Sequence, residues 1–249
     1  MSAKWLEGRV IENRHWTESA FSLRAQLSGD APRLMFQAGQ FVRIALEEGL
    51  ARPFSFVNPP HDPVLEFYGI VVPQGPLSPR LAALRAGDRL LVATNPAGFL
   101  VLPEIPPAQT LWLVSTGTGI APFLSILRTE EPWQRFRNVV LVHAVRHARE
   151  LVYREQIAEM QHGHHKVFHY VTFVSREAAA GSLTGRIPEA IRDGRLEKAA
   201  GVALDAQSSH VMLCGNPDML KDAQGALAER GLRKHRRRNP GHITVESFW

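Results

Sequence analysis

The pattern of hydrophobic and polar residues changes near residue 100. Before this point, short apolar runs at residues 8–11, 21–24, 40–44 and 65–71 are separated by Gly, Pro and Asp. Such runs are typical of antiparallel strands. After it, apolar runs alternate with helical stretches at residues 151–161 and 217–230, as in a parallel sheet flanked by helices. We therefore predict an antiparallel barrel over residues 1–100 and an α/β domain over residues 101–249.

The most informative local pattern is the apolar run 111–114 followed by a glycine-rich turn, residues 115–121, and by Pro122. It predicts a buried strand, a tight turn and a helix with Pro122 in its first turn. Two glycines allow a pyrophosphate to approach the backbone, and the helix start presents N–H groups to it. A nucleotide site is one interpretation. Because the third glycine of the dinucleotide fingerprint is missing, an ordinary strand-to-helix connection is the other.

Arginines follow the next two predicted strands. Arg146 ends the run 139–145, where an NAD-specific fold usually has an acidic residue for the ribose hydroxyl. A guanidinium suits a 2′-phosphate instead. Arg176 ends the run 171–174 and Arg186 follows it. Together they favour NADP over NAD, although each alone is also explained as an exposed surface charge.

A second phosphate site is predicted in the first domain. Ser78 is expected to cap a short helix, Pro79 to begin it and Gly87 to end it, and the start of that helix suits a phosphate. Arg52 would add a positive charge and Phe54 an aromatic face, although Phe54 fits the core equally well. In the second domain, Asn216, Pro217 and Gly231 mark the two ends of the last helix.

Composition limits the class of protein. The 249 residues, 45% of them hydrophobic, suffice for one or two cores. No apolar run approaches the roughly 18 residues of a membrane span, and Lys4 and Glu7 interrupt the start, so we expect a soluble cytoplasmic protein with no membrane partner. The single cysteine, Cys214, excludes an internal disulfide and a built-in plant-type iron–sulfur cluster.

The net charge of +5 and the basic run at residues 233–238 indicate an acidic partner, a polyanion or an exposed loop. Without interleaved aromatic residues the run disfavours nucleic-acid binding. His162, His164 and His165 lie in a predicted loop without acidic or thiolate neighbours, so we expect no metal site.

Five motifs occur in the order seen in ferredoxin/flavodoxin–NADP reductases, and the chain resembles the bacterial branch of that family over essentially its whole length. They are Arg52-Pro53-Phe54-Ser55, Gly75-Pro76-Leu77-Ser78, residues 117–122, Cys214-Gly215-Asn216-Pro217 and Val245-Glu246-Ser247-Phe248-Trp249. The resemblance implies an FAD-binding antiparallel six-stranded β-barrel followed by an NADP-binding parallel-sheet domain with an aromatic tail. It also implies reversible transfer of a hydride from NADPH to FAD, and then of single electrons to an acidic ferredoxin or flavodoxin.

The resemblance further implies a role for individual residues. FAD would contact Arg52, Pro53, Phe54, Ser55, Tyr68, Pro76, Leu77, Ser78, Thr118, Phe248 and Trp249. NADP would contact Gly117, Thr118, Gly119, Ile120, Ala121, Arg146, Ser175, Arg176, Arg186, Gly215 and Asn216. Ser55, Cys214 and Glu246 would shape the contact at which hydride passes. One departure is Phe54, where the family usually has Tyr, so a hydroxyl contact is missing while the ring face remains.

Three alternatives stay open. A free-flavin reductase of the same fold would release reduced flavin. The reductase component of an oxygenase would pass electrons to a dedicated protein. From a different class, a basic barrel protein would bind nucleic acid through the arginines at residues 236–238, with a steep salt dependence.

Overall fold

The computed structural model describes residues 5–29 and 33–247, which form two compact units. The first unit comprises the chain up to Val101 together with Ala121–Thr129. The second comprises Leu102–Ile120 and the chain from Glu130 onward. Of the residues proposed from sequence to bind cofactor, Phe248 and Trp249 lie outside the described residues.

The first unit is built on a six-stranded antiparallel sheet. Its strands are β1 (Trp5–His15), β2 (Ala20–Leu27), β3 (Phe41–Ala45), β4 (Ala51–Ser55), β5 (Val64–Ile70) and β6 (Arg89–Ala93). They pair in the order β4-β3-β6-β1-β2-β5, and an antiparallel bridge between Phe56 and Phe67 links the two ends of that order. The predicted six-stranded antiparallel fold is confirmed.

Alternating side chains of these strands form the core of the first unit. Phe21 and Leu23 of β2, with Val42 and Ile44 of β3, are fully buried. Burial of each such side chain contributes about 1.5–3 kcal/mol, so the period-two pattern gives the sheet one strongly stabilising face.

Helix α2 (Ala121–Leu127) groups with the first unit, although it follows the glycine turn in sequence. The Ser125 hydroxyl donates to the Asn58 carbonyl oxygen at 2.7 Å. Just after the helix, the Arg128 guanidinium pairs with the Glu66 carboxylate at 2.9 Å, and both side chains are largely buried. These two contacts join α2 and the residue that follows it to the rest of the first unit, and removing one partner of a largely buried pair is expected to cost about 3–5 kcal/mol.

The second unit contains a five-stranded parallel sheet. Its strands are β7 (Thr110–Thr116), β8 (Asn138–Val145), β9 (Phe168–Val174), β10 (Ser209–Cys214) and β11 (Ile243–Glu246), in the order β11-β10-β7-β8-β9. The chain moves outward from β7 to β9 and then returns to β10 on the other side of β7. The connections that follow β7 and β10 therefore run in opposite directions. In open parallel sheets a crevice forms at the carboxyl ends of two such neighbouring strands, here β7 and β10.

The remaining helices are α1 (Ser78–Ala82) in the first unit and five in the second: α3 (Glu131–Arg135), α4 (Arg154–Gly163), α5 (Ile187–Arg192), α6 (Arg195–Ala200) and α7 (Pro217–Glu229). Trp112, Val140 and Phe173 pack with residues of α5, α6 and α7 to form the core of this unit. Among the described residues, no helix is both long and apolar enough to cross a bilayer.

Several helix boundaries differ from those predicted. Helix α4 begins at Arg154 rather than at 151, because Tyr153 has a left-handed backbone with φ 58°. Helix α1 ends at Ala82, well before Gly87, and its cap is Leu77 rather than Ser78. By contrast α7 follows the prediction, since the Asn216 side chain accepts hydrogen bonds from the N–H groups of Asp218 and Met219.

Asn13 of β1 satisfies the carbonyl groups at the end of α1. Its side-chain amide donates to Leu81, Ala82 and Leu84 carbonyl oxygens at 3.2, 2.9 and 2.9 Å. We expect Asn13→Ala to lower the free energy of unfolding by about 1–3 kcal/mol, because partly buried acceptors lose their donor. Glu12→Ala, at the exposed neighbouring position, is the control and should cost only about 0.2–1 kcal/mol, the value of its surface ion pair with Arg24. Equal effects of the two substitutions in urea denaturation would contradict this role.

Candidate functional site

Two glycine turns interlock at the crevice between β7 and β10. The turn after β7 is a 3-10 helix, Gly117–Ile120. A Cβ added to Gly119 would lie 2.9 Å from the Gly215 nitrogen and would overlap the Cys214 carbonyl group. Because these are backbone atoms, they cannot rotate away, and glycine is required at position 119.

The turn after β10 is fixed from the opposite side. Gly215 has φ 139°, a conformation open to glycine, and a Cβ there would overlap Thr116. The Thr116 hydroxyl accepts a hydrogen bond from Asn216 N–H at 2.9 Å. The structure therefore brings Gly119 and Gly215 together, two residues that are distant in sequence.

Gly117 provides the open side of the first turn. Its φ is 51°, and a Cβ at this position would meet no other atom within 4 Å. Thr118 is half-buried, whereas Ile120 and Ala121 are buried. A partly exposed backbone turn at a helix start is suited to a phosphate group.

Two of the three arginines proposed from sequence lie side by side at the carboxyl end of the sheet. Arg146 follows β8 and Arg176 follows β9, and Arg176 N–H donates to the Arg146 carbonyl oxygen at 3.0 Å. Arg186 lies three residues after Leu183, which forms a parallel bridge with Phe173 of β9. All three arginines are exposed, and none forms an ion pair within the described residues. The Ser175 hydroxyl at this edge donates to the Val145 carbonyl oxygen at 3.3 Å.

Two acidic residues that the sequence analysis missed organise this edge. The Glu150 carboxylate accepts hydrogen bonds from the N–H groups of Arg146 at 2.8 Å and His147 at 3.1 Å, closing a capping box. The Glu177 carboxylate accepts from Ala148 N–H at 2.7 Å. The sequence carried only half of the capping-box pattern, because Glu150 fits its last position whereas His147 replaces the usual Ser or Thr at its first. The contact of Glu177 depends on strand pairing and had no such signal.

Cys214 and Glu246 occupy the other side of β7. In the strand register, Cys214 of β10 lies beside Glu246 of β11 and beside Ser115 of β7. Burial, with a further contribution from the Glu246 carboxylate, raises the pKa of the Cys214 thiol well above its ordinary value. The thiol is therefore protonated at neutral pH and fully buried, so a ligand reaches it only after neighbouring groups move.

His143 of β8 is a buried polar residue that the sequence analysis also missed. It pairs with Ser115, and neither ring nitrogen has a hydrogen-bond partner within the described residues. Burial lowers the pKa of His143 to about 4, and the Gly117 backbone acts in the opposite direction. The imidazole is neutral at physiological pH. A polar residue in an otherwise apolar run was the signal that could have identified it.

In the first unit, β4 and β5 carry five of the proposed FAD residues. The Phe54 ring lies against Gly69, where an added Cβ would be 2.6 Å from ring atom Cε1. Ser55 and Tyr68 are nearly buried, at 7% and 5% exposure. An Arg52 guanidinium nitrogen donates to the Ala51 carbonyl oxygen at 2.9 Å, and Arg52 forms no ion pair within the described residues. Pro53 shares the strand with them.

The proposed phosphate loop Pro76-Leu77-Ser78 leads into α1, a helix of five residues. Ser78 does not cap it, because the hydroxyl accepts a hydrogen bond from Val72 N–H at 2.9 Å instead. That bond folds the loop back on the end of the preceding strand. The N–H groups of the first helical turn have no intrahelical acceptor, which suits them to an anion.

The basic run and the histidines lie elsewhere in the second unit. Arg237 forms a bidentate pair with Glu104, at 2.6 and 2.7 Å. His162 belongs to α4 rather than to a loop. Within the described part of the chain, no group of three or more His, Cys, Asp or Glu is arranged to hold a metal ion.

Comparison with known proteins agrees with this arrangement. A family model described as "Oxidoreductase NAD-binding domain" matches residues 113–225. The chain is 49% identical to the flavodoxin/ferredoxin–NADP reductase of Shigella flexneri and 48% identical to that of Escherichia coli, covering 99% of this chain and 100% of each relative. The chain belongs to the flavodoxin/ferredoxin–NADP reductase family. The resemblance noted from the five motifs is confirmed.

A solved member of this reductase family has the same fold. It is a ferredoxin NADP+ reductase from Neisseria gonorrhoeae with bound FAD and NADP, with a TM-score of 0.92 and 33% identity over 99% of this chain and 100% of that one. Its two-domain architecture agrees with the antiparallel and parallel sheets described above.

The interlocked turns give a direct test of the site's architecture. We expect Gly119→Ala to lower the free energy of unfolding by about 1–3 kcal/mol, because the added methyl group overlaps backbone atoms. Gly163→Ala is the matched control: an added Cβ at this last residue of α4 meets nothing within 4 Å, so stability should be unchanged or slightly higher. Urea denaturation measures both, and an unaffected Gly119→Ala variant would contradict the close approach.

Proposed function

We propose that this chain is an FAD-dependent reductase that exchanges electrons between NADPH and ferredoxin or flavodoxin. The observation that carries the proposal is the order of groups along the carboxyl edge of the parallel sheet. Glu246, Cys214, the turn at Gly117–Ile120, Arg146 and Arg176 follow one another across β11, β10, β7, β8 and β9. Neighbouring strands are about 4.8 Å apart, so this edge is long enough for an extended dinucleotide.

NADPH would bind with its pyrophosphate on the glycine turns and its 2′-phosphate at the arginines. Gly117, Gly119 and Gly215 allow close approach to the backbone, while Thr118, Ile120, Ala121 and Asn216 shape the two turns. The guanidinium groups of Arg146, Arg176 and Arg186 have no ion-pair partners among the described residues. The Ser175 hydroxyl would add a neutral hydrogen-bonding group to this set. A dianionic phosphate is the ligand that such a group of cations favours.

FAD would bind on the first unit. Arg52 would contact its pyrophosphate together with the loop 76–78, and the Phe54 ring would pack on the isoalloxazine. Pro53 and Tyr68 would complete that surface, and Ser55 would place its hydroxyl near N5. The absence of the usual tyrosine hydroxyl at Phe54 leaves this packing in place, since the face of the ring is retained.

The chemistry requires a flavin, because FAD accepts two electrons as hydride and passes them on singly, which the side chains alone cannot do. The chain's own residues bind and orient. Cys214, a buried protonated thiol, would act through its shape rather than as a nucleophile. Ser55 and Glu246 would complete the surroundings of the reacting atoms.

The carrier is proposed to be an acidic protein and the compartment the cytoplasm. The net charge of +5 favours an acidic carrier, because complementary charge accelerates encounter. Within the basic run, Arg237 is already paired with Glu104, so the neighbouring Arg236 and Arg238 would contribute more to such an attraction.

The proposal is tested by reduction of the purified protein. We expect it to be yellow, to retain FAD through gel filtration, and to bleach under anaerobic NADPH much faster than under NADH. It should then reduce added ferredoxin or flavodoxin. Loss of the flavin on the column would favour the free-flavin reductase, and a protein that remains colourless after incubation with FAD would contradict the proposal.

The proposed role of Arg146 in binding the 2′-phosphate is tested by comparing it with an arginine at the other end of β8. Arg146→Ala should raise the KM for NADPH about 10- to 100-fold with little change for NADH, because a charged hydrogen bond to the 2′-phosphate is lost. Arg137→Ala, which alters an exposed arginine at the other end of β8, should leave both KM values unchanged. Equal use of NADH and NADPH by the unmodified protein would show that the NADP assignment is wrong.

A further inference from the structure

One acidic side chain connects the two loops that carry the proposed 2′-phosphate arginines. The loop after β8 contains Arg146 and a 3-10 helix, Ala148–Glu150. The loop after β9 contains Arg176 and Glu177. The Glu177 carboxylate crosses between them, accepting a hydrogen bond from Ala148 N–H at 2.7 Å on Oε1 and contacting His147 Nδ1 at 3.3 Å with Oε2.

This connection begins where the sheet's own hydrogen bonds end. The bonds from Ser175 N–H to the Val145 carbonyl oxygen and from Arg176 N–H to the Arg146 carbonyl oxygen, at 3.1 and 3.0 Å, extend the β8–β9 pairing by two steps. Past Arg176 the loops are joined through Glu177. The side chain thus holds the loops together immediately beyond both arginines.

We propose that Glu177 is a positioning residue for 2′-phosphate recognition. By tying the Arg176 loop to Ala148, it keeps the guanidinium groups of Arg146 and Arg176 directed at one phosphate. Glu177 does not itself touch the dinucleotide. The proposal deepens the proposed function and rests on it, since it assumes that NADPH binds at this edge.

A positioning role and a purely electrostatic role of Glu177 predict opposite effects on phosphate binding. A carboxylate near a phosphate repels it, so if charge were the dominant effect, neutralising Glu177 would strengthen binding. If position is dominant, removing the acceptor weakens binding. The Ala148 N–H bond, followed by the His147 contact, lowers the pKa of Glu177, so the carboxylate is ionised and engaged at neutral pH.

Two substitutions separate acceptor from charge. Glu177→Gln keeps an oxygen that can accept from Ala148 N–H but has no charge, whereas Glu177→Ala removes both. Glu229→Ala is the matched control. Glu229 is likewise exposed and paired, with Arg192 at 2.9 Å, and it lies at the end of α7 opposite Asn216.

Binding is measured by calorimetry on the full-length protein with its flavin, using adenosine 2′,5′-bisphosphate and adenosine 5′-monophosphate as probes. Glu177→Ala should raise the Kd for the bisphosphate about tenfold, because small displacements of positioned groups are costly, and leave the Kd for the monophosphate within about twofold. Glu177→Gln should lose less than about threefold, since the acceptor is retained. Glu229→Ala should match the unmodified protein for both probes.

Other outcomes overturn the inference. Tighter bisphosphate binding by both Glu177 variants would show that charge dominates, and an equal loss for both probes would indicate general damage to the fold. If the unmodified protein prefers the bisphosphate and Glu177→Ala leaves that preference unchanged, the role of Glu177 is contradicted while the NADP assignment stands. An unmodified protein with no such preference would contradict the NADP assignment itself and the inference with it.

Discussion

The carboxyl edge of the parallel sheet in the second unit depends on backbone-to-backbone contact between two turns. Gly119 lies against the peptide that joins Cys214 to Gly215, and Gly215 lies against Thr116. Main-chain atoms are held by the strands on either side and cannot adopt a new rotamer. The contact therefore fixes the carboxyl ends of β7 and β10 relative to each other, and with them the surface on which a pyrophosphate would rest.

The charges at this edge are divided between two tasks. Glu150 and Glu177 direct their carboxylates at backbone N–H groups, so that they stabilise loops instead of neutralising arginines. Arg146 and Arg176 consequently have no ion-pair partner among the described residues. If either carboxylate paired with a guanidinium, ligand binding would first have to break that pair. Using the acidic residues as backbone acceptors keeps the cations available.

Sequence patterns predicted the two sheets, the glycine turn, helix α7 and the arginines at strand ends, because these depend on local periodicity and capping. They did not predict the start of α4, since the left-handed backbone of Tyr153 has no signature in a non-glycine residue. They misassigned the cap of α1, because the hydroxyl of Ser78 bonds to a residue upstream. The association of α2 with the barrel and the bridging contact of Glu177 depend on pairings between distant segments, which no local pattern encodes.

Under the proposed function, the order of charges along this edge favours one orientation of the dinucleotide. The arginines follow β8 and β9, whereas Glu246 lies on β11 at the opposite side of β7. Between them the ionisable groups are neutral, because burial raises the pKa of Cys214 and lowers that of His143. A reversed ligand would place its dianionic 2′-phosphate beside the Glu246 carboxylate and its uncharged reduced nicotinamide among arginines. Only the proposed orientation places the dianionic phosphate among cations and away from the carboxylate, so we expect the electrostatics of this edge to favour a nicotinamide at β10.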